Sequence, residues 1–462
     1  MSPLTASRWS QRVSRQSLYV ILLAYMALGA QYAVRTPAWQ VPDEPAHYNY
    51  IRAIVEQHAL PVLQAGDYDE AYLNQLKSEL FPPNLTVSGI RYEGWQPPLY
   101  YLLAAPIFAA TGGSLAAVRL FTLLLGSFVI VLTWRLARAT VPGAPGVALA
   151  AAGFVAFLPQ HLAMTAAANN DALTEVMIVL GLWLLARAVL AADGGGREWP
   201  LLGLALGLGF LTKLTAYPMA GLIAMALLLV TRRHGWTAPR LVTAGAQVYV
   251  PAIVLGSLWW VRNLVVYGGL DFLATTKHDS IVVGQPRTAD LLAQWGAPLY
   301  LHNFFQTTFQ SFWGQFGWMG VVMDQRVYLA LLVYSAGLLA GLAGSVVLFR
   351  RAGRRLQPEQ RDWLALLALS VALAVLVYLY YNLTFVQFQG RYLYPALPVL
   401  ALAAALALRQ WALWLTAWWP ASHAARRQLA VWSLPLVPIA LMAALDLFAL
   451  YRFIIPALTR PA

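Results

Sequence analysis

The chain has 462 residues, of which 60% are hydrophobic and 11% are charged, and its formal net charge is +12. Soluble globular domains carry about 25% charged residues, so this composition excludes an ordinary water-facing surface and indicates an integral membrane protein. The absence of cysteine also excludes disulfide bonds and thiolate chemistry.

Apolar runs recur along the chain, and several reach the roughly 20 residues needed to cross a hydrocarbon core. The pattern predicts a single all-α membrane domain, residues 1–462, with about eleven spans. These cover residues 17–34, 115–134, 146–164, 172–191, 199–212, 214–231, 241–262, 327–349, 363–382, 392–410 and 430–452. The fifth and sixth spans form one apolar stretch that is broken near Lys213, since a charge in mid-membrane would be costly.

Residues 98–112 are apolar but too few for a span, so we predict a helix lying along the membrane surface. With this choice and a cytoplasmic N-terminus, arginine clusters such as Arg135 with Arg138 and Arg350 with Arg351 fall in inside loops. That distribution obeys the positive-inside rule, and it explains the net positive charge without nucleic acid.

Two long segments then lie on the outer face of a plasma or inner membrane. Residues 35–114 form a first outer loop with juxtamembrane helices, and residues 265–326 form a second outer segment. Both carry aromatic residues among polar ones, as helices at a membrane interface do.

The first outer loop opens with the acidic pair Asp43 and Glu44, followed by His47. The pair could simply begin a solvated loop. Alternatively, a carboxylate at a partly dry boundary can have its pKa adjusted for proton transfer, which makes the pair a candidate general base or metal ligand.

A second polar stretch ends the third span at Asn170 and Asp171, and Glu175 follows one turn into the next span. A helix cap would explain Asn170 or Asp171 without any chemistry. An ionisable residue inside a span, such as Glu175, is a functional candidate by default.

Three cations, Lys213, Arg262 and Arg391, lie at outer ends of predicted spans. Each could extend toward lipid headgroups without a specific partner. Three outward cations against the general inside bias instead favour a phosphate site, because the arginine fork and the lysine point charge both suit phosphate oxygens.

The predicted surface helix is preceded by Arg91 and Gln96 and begins with paired prolines before Tyr100. Prolines are natural at a helix start, where the missing N–H costs nothing. The aromatic residues there could also shape a groove for lipid or sugar.

These motifs, in this order, resemble the signature of GT-C superfamily glycosyltransferases, and the chain is similar to bacterial relatives of protein O-mannosyltransferases and aminoarabinose lipid A transferases. One departure is Gln96, where the mannosyltransferases usually have histidine. The motifs are Asp43-Glu44, Gln96-Pro97-Pro98-Leu99-Tyr100-Tyr101, Asn170-Asp171-Ala172-Leu173, Leu211-Thr212-Lys213 and Gly390-Arg391-Tyr392.

The resemblance implies a GT-C-type helical bundle and inverting transfer of a sugar from a polyprenyl-phosphate-linked donor at the outer membrane face. The acceptor would be a lipid, a glycan or a protein. Asp43 would be the catalytic base, with Glu44 and Asp171 supporting the base or orienting the acceptor. Lys213, Arg262 and Arg391 are the candidates for binding the donor phosphate, more on the chemistry of their side chains than on a motif match. Further substrate-binding candidates are His47, Arg91, Gln96, Tyr100, Asn170 and Tyr392.

Such a donor carries its own activation, so no cofactor is required, although Asp43, Glu44 and His47 could hold a divalent metal. Two other functions stay open. A transporter or flippase of lipid-linked sugars would need ionisable residues deep in the spans, for which Glu175 and Asp446 are the few candidates. A non-catalytic, lipid-binding envelope protein would bind lipid without transferring sugar.

Overall fold

The computed structural model describes residues 3–353 and 355–460, and most of them lie in α-helices. The helices are α1 Pro3–Arg35, α2 Glu44–Gln57, α3 Glu70–Ser78, α4 Leu99–Ala110, α5 Leu115–Thr140, α6 Pro145–Ala156, α7 Pro159–Thr165, α8 Asp171–Leu190, α9 Glu198–Phe210, α10 Pro218–His234, α11 Ala238–Tyr267, α12 Thr275–Ile281, α13 Thr288–Trp313, α14 Gln325–Arg351, α15 Pro358–Asn382, α16 Leu397–Leu415, α17 Ala424–Ser433, α18 Leu436–Ala449 and α19 Ile455–Leu458. Helix α13 is interrupted at Gly296, where φ is 73°.

Short elements complete the fold. The strands β1 (Gln315–Phe316) and β2 (Val321–Val322) pair antiparallel. Short 3₁₀ helices lie at Tyr92–Trp95, Leu214–Ala216, Gly390–Ala396 and Ala421–His423, and a π-helical turn lies at Leu450–Ile454.

Nine helical stretches in the described part of the chain are long and apolar enough to cross a membrane, which confirms the predicted all-α membrane class. They are Ser14–Arg35, Leu115–Thr140, Asp171–Leu190, Leu214–His234, Ala238–Tyr267, Gln325–Arg351, Pro358–Asn382, Gly390–Leu415 and Ala424–Leu458. Each coincides with one of the eleven predicted spans.

The other two predicted spans have different structures. Residues 146–164 fold as α6 and α7, two helices bent by 64° at the break between them, as in a broken span or a re-entrant loop. Residues 199–212 correspond to α9, which has 13 residues. At a rise of 1.5 Å per residue it extends about 20 Å, which is less than the hydrocarbon thickness.

Helix α9 packs tightly against α11, and two glycines permit this approach. A side chain at Gly203 would meet the backbone carbonyl oxygens of Gln247 and Val248, and one at Gly207 would meet Leu255. Small residues four positions apart let helix backbones approach closely inside a membrane. One face of α9 is therefore packed closely against α11, while Leu201 and Leu204 on another face are exposed.

Long apolar side chains on α14 face outward, as a lipid-facing surface requires. Leu329, Val333 and Leu339 are 61%, 66% and 70% exposed. In water such a surface would be unfavourable, whereas lipid tails are as apolar as leucine. The protein is thus a multi-pass membrane protein.

The segment between α1 and α5 contains three helices that position the polar residues described below. Helix α4 has 12 residues, which agrees with the prediction of a helix too short to span. It packs on α2 and α5 through a cluster that includes Tyr50, Tyr101 and Phe108. Tyr50 and Tyr101 stack with ring centroids 3.7 Å apart.

Candidate active site

Asp43 lies at the start of α2, in a backbone conformation that residues other than glycine seldom adopt (φ 67°). The Tyr92 hydroxyl donates to its Oδ1 at 2.8 Å, and Arg391 Nη2 donates to its Oδ2 at 3.0 Å. The carboxylate is nevertheless 29% exposed. Left-handed backbone at a non-glycine residue costs about 1–3 kcal/mol and is found disproportionately at functional sites.

The electrostatic surroundings keep Asp43 ionised. Burial by itself would raise the pKa of this carboxyl group, but the Arg391 charge and the Tyr92 hydrogen bond outweigh burial and lower the pKa below 3.8. Asp43 is therefore a carboxylate at neutral pH.

Arg391 is fixed in place by a close contact between two distant segments. Gly390 lies so near the backbone of Thr308 and Phe312 in α13 that a side chain there would collide with it. The Gly390 amide donates to Ser311 Oγ at 2.7 Å, and Arg391 Nε donates to the side chain of Gln389 at 2.7 Å. The glycine of the Gly390-Arg391-Tyr392 motif is therefore required for packing.

Asp171 and Lys213 form a second ion pair, with Nζ 2.6 Å from Oδ1. Asp171 is the first residue of α8, where the helix dipole favours a negative charge. Lys213 lies in the break between α9 and the turn Leu214–Ala216. Burial lowers the pKa of Lys213, but the charges of Asp171 and Glu93 raise it by more, so the lysine stays charged.

The two ion pairs meet at one narrow cavity, in which the centres of water-sized molecules can occupy about 30 Å³. Asp171, Lys213, Arg391 and Tyr392 all line it. Asp43 is attached to the same cavity through Arg391. Residues that are as much as 348 positions apart in the chain are thus assembled into one cluster of alternating charge.

His47 lies beside this cluster but adds no positive charge. Its Nδ1 is 2.8 Å from the Tyr101 hydroxyl. Burial, and then the positive charge of Lys213, lower the pKa of His47 to about 3. The ring is therefore neutral and takes part as a hydrogen-bonding group.

Gln96 and Asn170 connect the motifs behind the ion pairs. The Asn170 side-chain amide donates to Gln96 Oε1 at 3.4 Å and to the Thr212 carbonyl at 3.2 Å. Both side chains are buried. They join the segments that carry Asp171 and Lys213, which predicts a role in holding that pair together.

Comparison with known proteins gives a family match and a set of structural matches. The model of the dolichyl-phosphate-mannose-protein mannosyltransferase family matches residues 95–260. A crystal structure of apo ArnT from Cupriavidus metallidurans matches with a TM-score of 0.53 at 16% identity, over 96% of this chain and 74% of that one. Comparison with curated proteins by sequence gives no match.

A second fold match is the Archaeoglobus fulgidus oligosaccharyltransferase, crystallised in complex with Zn and sulfate. It matches with a TM-score of 0.52 at 14% identity, over 92% of this chain. The chain spans about half of that protein's length, 52%.

The chain has the fold of GT-C superfamily membrane glycosyltransferases. The family model matches just over a third of the chain, residues 95–260. Both findings support the superfamily that the motifs predicted. The matched residues 95–260 include Asp171 and Lys213, whereas Asp43 and Arg391 lie outside them.

Glu44 does not line the cavity, although the sequence singled it out with Asp43 as catalytic. It is fully buried and accepts two hydrogen bonds from Arg119, at 2.7 and 2.6 Å. It also accepts from the Trp39 and Ala168 amides. A carboxylate with this many donors holds the surrounding segments together and is not placed to take a proton from a substrate.

Three further predicted substrate residues also lie away from the ion pairs and do not line the cavity. Arg262 donates to the Pro61 carbonyl and packs on the rings of Trp259 and Tyr267. Arg91 binds Asp67 at 2.8 Å. The Tyr100 hydroxyl pairs with Thr122 at 2.7 Å inside the core. Each of these side chains is satisfied by a local structural partner.

Two residues that sequence reasoning passed over or left without a role belong to the site. Tyr92, next to the chosen Arg91, is the residue that contacts Asp43. Glu93 lies among the same charges. Burial and then the nearby Asp43 charge raise the pKa of Glu93 to about 7. Adjacent residues on a 3₁₀ turn point in different directions, and no local pattern shows which one faces the site.

The proposed metal set of Asp43, Glu44 and His47 is not assembled, because Glu44 is turned toward Arg119. Among the residues with described positions, no group of three or more histidine and acidic side chains could hold a metal ion.

Proposed function

We propose that this enzyme transfers a sugar from a polyprenyl-phosphate-linked donor to an acceptor at the outer face of the membrane, with inversion and with Asp43 as the base. The observation that carries the proposal is the pairing of a partly exposed carboxylate, Asp43, with a cation, Arg391, that also lines the cavity with Lys213. A base and a phosphate-binding pair therefore adjoin one another.

The cations supply the site for the leaving group. Arg391 offers a planar fork and Lys213 a point charge, and both geometries suit phosphate oxygens. As the bond between sugar and phosphate breaks, negative charge grows on the leaving phosphate. Fixed positive charges stabilise that growth with little rearrangement.

The base acts on the acceptor. Asp43 takes the proton from the acceptor hydroxyl or amine as that atom attacks the anomeric carbon opposite to the phosphate, and a single displacement inverts the anomeric configuration. Before the donor binds, Arg391 holds the pKa of Asp43 low. A bound phosphate competes for Arg391, which makes Asp43 a stronger base only when the donor is present.

A polyprenyl-phosphate donor is supported by the family description, which names a dolichyl-phosphate sugar. It is also supported by the position of the cavity. Asp171 and Arg391 lie at the ends of apolar stretches long enough to span. A lipid anchored in the bilayer can therefore bring its phosphate to both residues.

The outer location rests on the arginine distribution, and the chain lends itself to a direct test because it contains no cysteine. Asn84 and Ala352 are both exposed, so Asn84→Cys and Ala352→Cys should be labelled without loss of function. A membrane-impermeant thiol reagent added to intact spheroplasts should label Asn84→Cys but not Ala352→Cys. The reverse pattern would place the cavity in the cytoplasm.

The decisive experiment follows sugar transfer by the purified protein in proteoliposomes. Extracts of envelope lipid, glycan and protein serve as acceptors, and undecaprenyl phosphate carrying a radiolabelled sugar serves as donor. Replacing a general base typically costs a factor of about 10² to 10⁴, so Asp43→Asn should lose transfer by that factor at unchanged melting temperature. Near-normal transfer by Asp43→Asn would refute the assigned base.

We propose that the reaction needs no metal, since the donor is already activated and two cations face its phosphate. Transfer measured with and without EDTA tests this point. Loss of activity with EDTA, restored by one divalent ion, would overturn it.

A further inference from the structure

The cavity extends past the two cations along one face of α8. Asp171, Thr174, Glu175 and Ile178 all line it, and their spacing places them on the same side of a helix. Glu175 lies four residues beyond Asp171, which is about 6 Å further along the helix axis. The inner part of the cavity therefore has a polar wall inside an otherwise apolar span.

Glu175 is buried but not fully satisfied. It is 6% exposed, and its Oε2 lies 2.8 Å from Nε2 of the fully buried His161. Its other carboxylate oxygen accepts no hydrogen bond from the part of the chain that the structure describes. This oxygen is also not one of the fully buried side-chain atoms that lack a partner, so part of it is accessible. An open oxygen thus faces the cavity.

The hydrogen bonds of His161 determine how many protons this pair carries. Its Nδ1 lies 2.8 Å from the Val155 carbonyl oxygen. A carbonyl oxygen only accepts, so Nδ1 carries a hydrogen. The contact between Nε2 and Glu175 then needs one more hydrogen, on either the ring or the carboxyl group. The pair shares this proton and is neutral as a whole, which lowers the cost of burying it.

We propose that Glu175, held in place by His161, binds hydroxyl groups of the donor sugar and helps to select that sugar. This inference rests on the proposed function, in which the donor phosphate lies against Lys213 and Arg391. Beyond the cations the wall carries the hydroxyl-bearing Thr215 as well as Glu175, while the Thr174 hydroxyl already donates to the Asn170 carbonyl oxygen at 2.8 Å. A polyprenyl tail would leave the second Glu175 oxygen without a hydrogen-bond partner, whereas a sugar hydroxyl group can pair with it.

Tyrosine rings complete the sugar site. Tyr392 and Tyr394 line the same cavity. The Tyr394 hydroxyl donates to the Phe312 carbonyl at 2.8 Å, so its position is fixed. Aromatic faces suit the C–H surfaces of a sugar. A site built to hydrogen-bond a hydroxyl group rejects analogues that lack it, so this wall discriminates among donor sugars.

The test compares lipids with and without a sugar. Binding of undecaprenyl phosphate, and of undecaprenyl phosphate carrying mannose, glucose or 4-amino-4-deoxyarabinose, is measured on the full-length protein in nanodiscs. Wild-type protein should bind at least one sugar-bearing lipid more tightly than the bare lipid phosphate. If none binds more tightly, no sugar site exists there and the inference is overturned.

Glu175→Gln should weaken binding of the preferred sugar-bearing lipid by about tenfold to a hundredfold, which is the usual effect of losing a hydrogen bond to a charged group. Binding of bare undecaprenyl phosphate should not change. Equal losses for both lipids, or no loss for either, would contradict the assignment. Asp446→Asn is the matched control, because Asp446 is a fully buried carboxyl group in another helix, away from the residues that line this cavity.

Two additions keep the test decisive. If Glu175→Gln does not fold, Thr215→Val removes a hydroxyl group from the same cavity without disturbing His161. This variant should weaken binding of the sugar-bearing lipid only. Lys213→Met should weaken binding of both the sugar-bearing lipid and bare undecaprenyl phosphate. Unchanged binding of bare undecaprenyl phosphate by Lys213→Met would instead refute the phosphate site of the proposed function.

Discussion

Asp43 and Glu44 are adjacent in the chain but belong to two different kinds of ion pair. Glu44 and Arg119 form a closed pair, with side chains that are 0% and 3% exposed. Asp43 with Arg391 and Asp171 with Lys213 form open pairs, in which the carboxylates are 29% and 31% exposed. The closed pair lies inside the packing of α1, α2 and α5, whereas the open pairs border the cavity.

The difference indicates which pairs are available for chemistry. Arg119 also donates to the carbonyl oxygens of Ala33, Thr36 and Pro37, so every polar atom of the closed pair is engaged. Each open pair has a partly exposed carboxylate and a cation on the cavity wall. The closed pair should therefore affect stability, and the open pairs should affect catalysis.

The largest effect is expected from breaking the closed pair. Glu44→Gln leaves Arg119 buried without a counter-charge, which should lower the free energy of unfolding by about 3–5 kcal/mol. Thermal and denaturant unfolding in detergent would measure it. Replacing both residues, as Glu44→Leu with Arg119→Met, should recover part of the loss. A stable but inactive Glu44→Gln protein would contradict the distinction and make Glu44 catalytic.

Removing a cation from an open pair should slow the reaction without unfolding the protein. Arg391→Met and Lys213→Met should each reduce kcat by about 10² to 10³, as the loss of one group that stabilises a developing negative charge does. Transfer in proteoliposomes at saturating donor measures this. Arg262→Met is the matched control, since Arg262 donates to the Pro61 carbonyl oxygen and does not line the cavity. The kcat of this variant should stay within about threefold of wild type.

Tyr92→Phe tests the contact between the 3₁₀ turn and the base. Loss of the 2.8 Å hydrogen bond to Asp43 should reduce transfer by about tenfold to a hundredfold, since a hydrogen bond to a charged group contributes about 1.5–3 kcal/mol. Tyr72→Phe is the control, because the Tyr72 hydroxyl donates to the Thr86 carbonyl at an exposed position. Equal effects of the two variants would show that Tyr92 acts only through packing.

The smallest effect concerns pH and Glu93. Its pKa of about 7 lies above the usual 4.5, so between these values the folded protein binds a proton that the unfolded chain does not. Stability from this group is therefore lost as pH rises from about 4.5 to about 7. The melting temperature of Glu93→Gln relative to wild type should rise by a few degrees between pH 5 and pH 8. A pH-independent difference would mean that Glu93 titrates normally.

Asp43 should show the opposite dependence. Its lowered pKa means that the base stays ionised above about pH 4, and that stability from this group is lost only as pH falls through the folded pKa.

Much of the fold could be predicted because hydrophobicity is a local property. Nine of the predicted spans coincide with long apolar helices. The two exceptions are instructive: Pro159 follows the bend between α6 and α7, and α9 is short and packs through Gly203. Proline restricts the backbone of the residue before it, and glycine lets two helices approach closely. An average of hydrophobicity over a window of residues detects neither effect.

The sequence by itself determined that this is a helical membrane protein, that residues 98–112 form a short helix, and that Asp43, Asp171, Lys213 and Arg391 are unusual at the ends of apolar segments. Only the tertiary structure decided that Asp43 pairs with the cavity-lining Arg391 while Glu44 is closed off by Arg119, and that Arg391 joins the site while Arg262 does not. The reason is physical: hydrophobicity adds up along neighbouring residues, whereas a charged side chain takes its role from whichever partner the fold brings within about 3 Å.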